Sequence, residues 1–157
     1  MIRISKLTDY AIIILSFLGK EPLILWQTSI IAEKNNLTKP TVAKLLKRLV
    51  KVKFVISYRG KDGGYKLAVE PHNLSLANII TALEGRVAIT KCNSKVNSCL
   101  ISKNCPLITP LTKINKLIYE TLDTYKLSDL ISTNITPTID QTNITTIISS
   151  EQLNDHF

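Results

Sequence analysis

The sequence predicts a mostly α-helical fold carrying one small β-hairpin, on three observations. Apolar residues recur at steps of three and four in several segments, the mark of helices with one buried face. One stretch, FVISYRGKDGGYKLAV at 54–69, reads instead as strand, glycine-rich turn, strand. And charge is divided unevenly: residues 1–70 carry 13 Lys/Arg against 5 Asp/Glu, while residues 71–157 carry 7 against 7.

Taken in order, TDYAIIILSFLG (8–19) is the first helix, with Thr8 or Asp9 as cap and Gly19 as its end. TSIIAEK (28–34) is the second, with Thr28 or Ser29 as cap and Asn35-Asn36 as the turn that follows. A third starts near Thr38 as TKPTVAKLLKRLVKV, with Thr38 as N-cap and Pro40 in the first turn, where its missing N–H costs nothing. At 100° per residue, Val42, Leu45, Leu46, Leu49 and Val50 share one side of it, and Thr41, Lys44, Lys47, Arg48 and Lys51 the other. Val55–Arg59 and Tyr65–Val69 are the two strands, with Gly60, Gly63 and Gly64 freeing the backbone at the reversal. After Pro71, LSLANIITALEG (74–85) is an amphipathic helix closed by Gly85. A long helical pattern then runs from Leu107 to about Lys126, with a stripe of Leu111, Ile114, Ile118, Leu122 and Tyr125.

Helix, helix, basic helix and glycine-tipped hairpin is the order of a winged helix-turn-helix with a long C-terminal dimerisation helix. Between Thr38 and Lys66 there are nine basic residues and one acid, Asp62. A charged face on a lone helix is usually a solvated surface. Here charge, helix order and wing agree on double-stranded DNA as the partner. Thr38, Lys39, Thr41, Lys44, Lys47 and Arg48 on the third helix are the candidate contacts, with Arg59, Lys61 and Tyr65 on the wing. Such readers meet paired half-sites, so a homodimer is expected, and the long helix is its natural seam. The same stripe could instead pack on its own domain. The expected organisation is 1–72 for DNA, 73–131 for the cysteine loop and dimer helix, and 132–157 as a weakly ordered polar tail rich in Thr, Ser and Asn.

All three cysteines, Cys92, Cys99 and Cys105, lie in TKCNSKVNSCLISKNCPLI (90–108) among Asn, Ser and Lys. The longest apolar run, Ala11 to Leu18, is too short to span a bilayer, and MIRISKLTDYA lacks the clean apolar region of a signal peptide. A cytoplasmic chain with no membrane association is therefore expected, in which thiols stay reduced and three cysteines make no disulfide framework. Small buried cysteines can be ordinary hydrophobes, but these have polar neighbours. Cys-x6-Cys-x5-Cys is not a paired C-x2-C zinc pattern. The wide spacing suits a larger inorganic unit such as an iron-sulfur cluster, with a zinc site as the alternative. A cysteine enzyme or redox carrier needs a base near the thiol, and the loop has no histidine. No enzyme activity is expected. His72, beside the wing, reads as a surface residue, and His156 lies in the tail.

ISKLTDYA at 4–11, RGKDGGYKLA at 59–68, LSLANIITALEG at 74–85 and the three cysteines together resemble the Rrf-two family of bacterial winged-helix regulators. Within it, the chain is similar to the branch that regulates SUF-type iron-sulfur cluster assembly operons. The resemblance spans about residues 1–131. It implies a cluster, 2Fe–2S or 4Fe–4S, held by Cys92, Cys99 and Cys105. Some members complete the set with a histidine three residues after the last cysteine; here that residue is Ile108, which cannot ligate. Others use an aspartate near the N-terminus of the second chain, and Asp9 of the partner subunit matches that position. A carboxylate is a harder, weaker iron ligand than thiolate and leaves one iron exchangeable, as a sensor requires. From its position alone, Asp9 reads equally well as a helix cap. The resemblance further implies repression of iron-sulfur assembly genes. A nitric-oxide or iron signal, or structural zinc on the same fold, is the alternative.

Overall fold

The computed structural model describes residues 4–90 and 105–132. Six helices and one hairpin follow in the order α1 (Lys6–Lys20), α2 (Thr28–Lys34), α3 (Lys39–Lys51), β1 (Val55–Tyr58), β2 (Gly64–Leu67), α4 (Leu76–Glu84), α5 (Ile108–Thr124) and α6 (Leu127–Ser132), with a single 3-10 turn at Pro71–Asn73. Cys92, Cys99, His156 and the tail after Ser132 lie outside the described residues.

Ser5 starts α1: its hydroxyl accepts from the Thr8 N–H at 3.3 Å. The cap is therefore Ser5, not Thr8 or Asp9. Thr8 is buried and Asp9 is exposed one turn in. Ala11, Ile14, Leu15 and Leu18 fall at helical spacing and are all 0% exposed. Gly19 does not end α1. It is buried at a close approach, where a Cβ would stand 2.5 Å from Ile131 Cδ1 of α6 and 3.4 Å from Leu67 Cδ1. At α2 the cap position falls to Gln27, without a side-chain cap bond, rather than to Thr28 or Ser29. Asn36 takes a left-handed φ of 52° in the turn that follows, a conformation Asn tolerates.

The first residue before α3 is Thr38, as its sequence predicts, but its hydroxyl meets Thr41 Oγ1 at 2.8 Å instead of capping a backbone N–H. Val42, Leu45, Leu46 and Leu49 are fully buried beneath the charged face. The hairpin pairs Val55 with Leu67, Ile56 with Lys66, Ser57 with Tyr65 and Tyr58 with Gly64. Each strand is shorter at its far end than the alternation predicts. A third element joins them: Trp26, in the α1–α2 connection, exchanges both backbone hydrogen bonds with Tyr65 at 2.9 Å. Gly64 is required there, since a Cβ would lie 2.9 Å from the Trp26 carbonyl oxygen.

Ser75 caps α4 and Gly85 closes it at φ 96°. The long helical pattern breaks at Tyr125. There Leu76 N–H bonds Tyr125 O at 2.9 Å and Leu127 N–H bonds Leu74 O at 2.8 Å, after which α6 folds back onto α1. Ile79, Leu83 and Leu127 therefore share one core with α1, α3 and the hairpin. Among the described residues no helix is long and apolar enough to cross a membrane.

Candidate DNA interface and cysteine segment

The charged face of α3 is open to solvent. Thr38, Lys39, Lys44, Lys47 and Arg48 are exposed and Thr41 is half-buried. On the hairpin tip Arg59 and Lys61 are exposed, while Gly60 takes φ 118° and accepts from Gly63 N–H at 3.1 Å. Tyr65 is different: its ring is half-buried against the core and its backbone is paired to Trp26. Between the tip and the start of α2 runs an open cleft of about 570 Å³, lined by Gln27, Thr28, Arg59, Lys61 and Tyr65. Among the described residues Lys116 and Glu120 form an ion pair at 3.5 Å, and His72 Nε2 lies 3.2 Å from Glu70. Among the described residues neither contact occupies a cation of α3 or the tip, and Arg48 alone of these is near enough to a carboxylate, Glu84, to lower its pKa. Such a surface can neutralise phosphates without first breaking internal pairs. Tyr58, 45% exposed with Lys66 Nζ 5.2 Å from its ring centroid, extends it along β1.

Of the four candidate ligands, Asp9 and Cys105 are described. Asp9 is exposed on the first turn of α1, and its capping role is taken by Ser5. Cys105 is a half-buried free thiol one turn before α5, with its carbonyl accepting from Ile108 N–H at 3.3 Å. Among the described residues no three His, Cys, Asp or Glu side chains converge.

Glu84, at the C-terminal end of α4, was not singled out by sequence. Its Oε1 accepts from Ser5 N–H at 2.7 Å, tying α4 to the residue that caps α1. Burial pushes this carboxyl up, but hydrogen bonds from Thr8 and from Ser5, with the charge of Arg48, outweigh it and hold it below its ordinary 4.5. One carboxylate thus touches the helix that carries Asp9 and feels the helix that carries the cationic face.

Along α5 the predicted stripe divides. Ile118 and Leu122 turn inward and line a cavity of about 260 Å³ with Ile4, Ile80 and Val87. Ile114 is 47% exposed, and so are two residues outside the stripe, Leu117 at 63% and Leu107 at 57%. The one buried residue of α5 is polar: Asn115 accepts from Ile89 N–H at 3.0 Å and donates to Val87 O at 2.9 Å. A lone Asn inside an apolar-periodic helix was the signal for it.

Comparison with known proteins agrees with this architecture. The sequence profile of the Rrf2 family, described as "Iron-dependent Transcriptional regulator", matches residues 4–133. The HTH-type transcriptional regulator NsrR of Oceanobacillus iheyensis is 32% identical over 131 residues, covering 82% of this chain and 89% of that one. NsrR of Bacillus subtilis is 30% identical over the same length, covering 82% and 90%. Among solved structures, CymR (YrzC), the global cysteine regulator of B. subtilis, superposes with a TM-score of 0.64 at 28% identity, over 85% of this chain and 99% of that one. T. potens IscR does so with a TM-score of 0.62 at 27% identity, over 83% and 87%. With the family profile spanning residues 4–133 and a relative 32% identical over most of both chains, the chain belongs to the Rrf2 family and is a DNA-binding transcriptional regulator.

Proposed function

We propose that the protein acts as a homodimer whose grip on operator DNA depends on an iron-sulfur cluster, and that it represses iron-sulfur cluster assembly genes. Residues 1–72 read DNA, residues 73–131 carry the cluster segment and the dimer helix, and 132–157 form an appended tail. Cys92, Cys99 and Cys105 hold the cluster, with Asp9 of the partner subunit as fourth ligand. The donor set fits: Asp9 is exposed and not spent as a cap, and Cys105 is a free, half-buried thiol. When bound, the cluster supplies a redox- and ligand-sensitive crosslink between subunits.

The observation that carries this reading is the junction at Cys105. The last thiol stands one turn before α5, and the outer side of α5 leaves Leu107, Ile114 and Leu117 exposed. A thiol fixed by a cluster would therefore orient the start of a helix that a second copy covers. Burying each such side chain contributes about 1.5–3 kcal/mol. Shifting α5 against its mate moves the two α3 helices, and paired half-sites tolerate only one spacing. Thr38, Lys39, Thr41, Lys44, Lys47, Arg48, Arg59 and Lys61 contact DNA, mostly at phosphates, and set affinity more than sequence. Tyr65 serves chiefly to lock the wing to Trp26.

Operator binding by cluster-loaded and cluster-free protein tests the proposal. Tighter binding in the loaded state supports it; equal binding to every operator fragment rules it out. The likeness to CymR, a cysteine regulator, favours one second reading, the same DNA-binding fold with a different signal; structural zinc at the cysteines is a further form of it. Zinc without iron or sulfide would identify that case.

A further inference from the structure

We infer that Asn115 is a positioning residue, which ties the chain entering the cysteine segment to α5 so that occupation of the thiols is felt at the dimer helix. The inference rests on the function proposed above and deepens it.

Asn is a poor choice for the middle of a helix, less favourable than Ala by up to about 0.7 kcal/mol. Burying its carboxamide adds a cost unless both ends are bonded. Here both are, and to one short piece of backbone. Asn115 Oδ1 accepts from Ile89 N–H at 3.0 Å and Nδ2 donates to Val87 O at 2.9 Å. Residues two apart in an extended chain present their backbone groups on the same edge. The side chain therefore grips this edge as a neighbouring strand would. Val87–Ile89 belongs to no helix or strand, and among the described residues these are the hydrogen bonds that hold it.

Packing does not do the same work. On one flank lies the cavity of about 260 Å³ beside Ile118 and Leu122; on the other lies one of about 300 Å³ walled by Thr81, Arg86, Thr112 and Tyr119. Thr81 Oγ1 beside the second has no hydrogen-bond partner among the described residues. Val87, Ala88 and Ile89 are only half-buried between these cavities, and among the described residues the carboxamide supplies the directional contacts that set their position.

The far end of the cysteine segment is fixed to the same helix, because Cys105 leads into α5 and accepts from Ile108 N–H. Ile108 and Asn115 stand two turns apart, about 10 Å along the axis. The three thiols thus lie on a stretch whose two ends are both fastened to α5. A change at the thiols would reach α5 through these two junctions, and Asn115 makes the one that depends on a side chain.

The test uses the full-length protein purified anaerobically, with Asn115→Leu, which keeps the bulk and removes both bonds. A second variant, Ile89→Pro, removes the donor N–H from the other side and leaves α5 untouched. A control, Leu127→Val, lowers stability in the core away from the segment. Two quantities are read: the rate at which a chelator strips iron, and the ratio of operator affinities with and without cluster. The expected result is iron loss about tenfold faster and an affinity ratio reduced about tenfold in both Asn115→Leu and Ile89→Pro, the scale of a lost buried hydrogen bond. Leu127→Val should match wild type in both. Unchanged rates and ratios in Asn115→Leu and Ile89→Pro, or the same losses in Leu127→Val, would overturn the inference. Wild type that carries no iron and sulfide sinks the proposed function. Wild type that responds to its cluster beside unaltered variants sinks the positioning role alone.

Discussion

Helices α3 and α5 are both amphipathic, and they use that property in opposite ways. In α3 the apolar side is spent completely inside the chain, with Val42, Leu46 and Leu49 at 0% exposure, and what remains outside is cationic. In α5 the inward side is only half-buried against a cavity, the one buried residue is a carboxamide, and Ile114 and Leu117 are exposed. One helix is finished within the monomer and offers charge. The other is unfinished and offers apolar surface. A rigid reader mounted on a core and an incompletely packed helix carrying a ligand segment is a division suited to a regulator. The element that must hold its shape is separate from the element whose packing can change.

The largest effect should come from breaking the finished helix. Leu46→Ala should lower unfolding free energy by about 2–5 kcal/mol, by lost burial and the cavity left behind, as denaturant titration would read. The same truncation at Ile114 should leave the monomer's secondary structure and core nearly unaffected. Leu117→Glu addresses the unfinished helix: it should shift the dimer to monomer in analytical ultracentrifugation while leaving far-UV helicity intact. A monomeric wild type, or a dimer indifferent to the charge, would show that the open face has another use. Next in size, Lys44→Ala should weaken binding on all DNA sequences alike and reduce the slope of log affinity against log salt by about 1. An unchanged slope removes Lys44 from the interface.

The smallest expected effect concerns Glu84, which ties the end of α4 to Ser5 and feels the charge of Arg48 on α3. Its folded value is depressed, so its contribution to stability is present above the ordinary 4.5 and is lost as pH falls through the folded value. The thermal midpoint of Glu84→Gln should therefore lie slightly below wild type near neutrality, and the gap should close below pH 4.5. The side chain is exposed, so screening keeps the gap small. A gap that widens in acid would contradict the assignment.

The parts legible in the sequence were those set by local periodicity. The α3 pattern alone gave both its buried and its charged side, and Gly60, Gly63 and Gly64 marked the reversal. What escaped depended on distant partners. Thr8 and Asp9 were plausible caps until Ser5, one turn earlier, took the role; any of Ser, Thr or Asp satisfies the same local rule. Gly19 resembled a helix end because its reason, contact with Ile131, lies more than 100 residues away. The pairing of Trp26 with Tyr65 leaves no local trace, and the break at Tyr125 is made by bonds to Leu74 and Leu76 rather than by a proline or glycine. The α5 stripe was read as one face, whereas α4 takes Ile118 and Leu122 and leaves Ile114. For the proposed site, charge marked the face that α3 exposes, and cysteine spacing marked three thiols of which Cys105 is described. Glu84 and Asn115 act through backbone groups of other segments, which no spacing rule reports.

On the function proposed above, a cluster held by three thiols and Asp9 of the partner subunit controls DNA binding. The most direct test is one titration series on anaerobically purified protein, wild type and Asp9→Ala. Iron, acid-labile sulfide and zinc are measured per chain on the same samples whose operator affinity is determined. The expected result is iron and sulfide in wild type, tighter operator binding with the cluster than without it, and a destabilised or spectrally altered cluster in Asp9→Ala with the dimer intact. Zinc alone, or operator binding indifferent to the cluster, would contradict it.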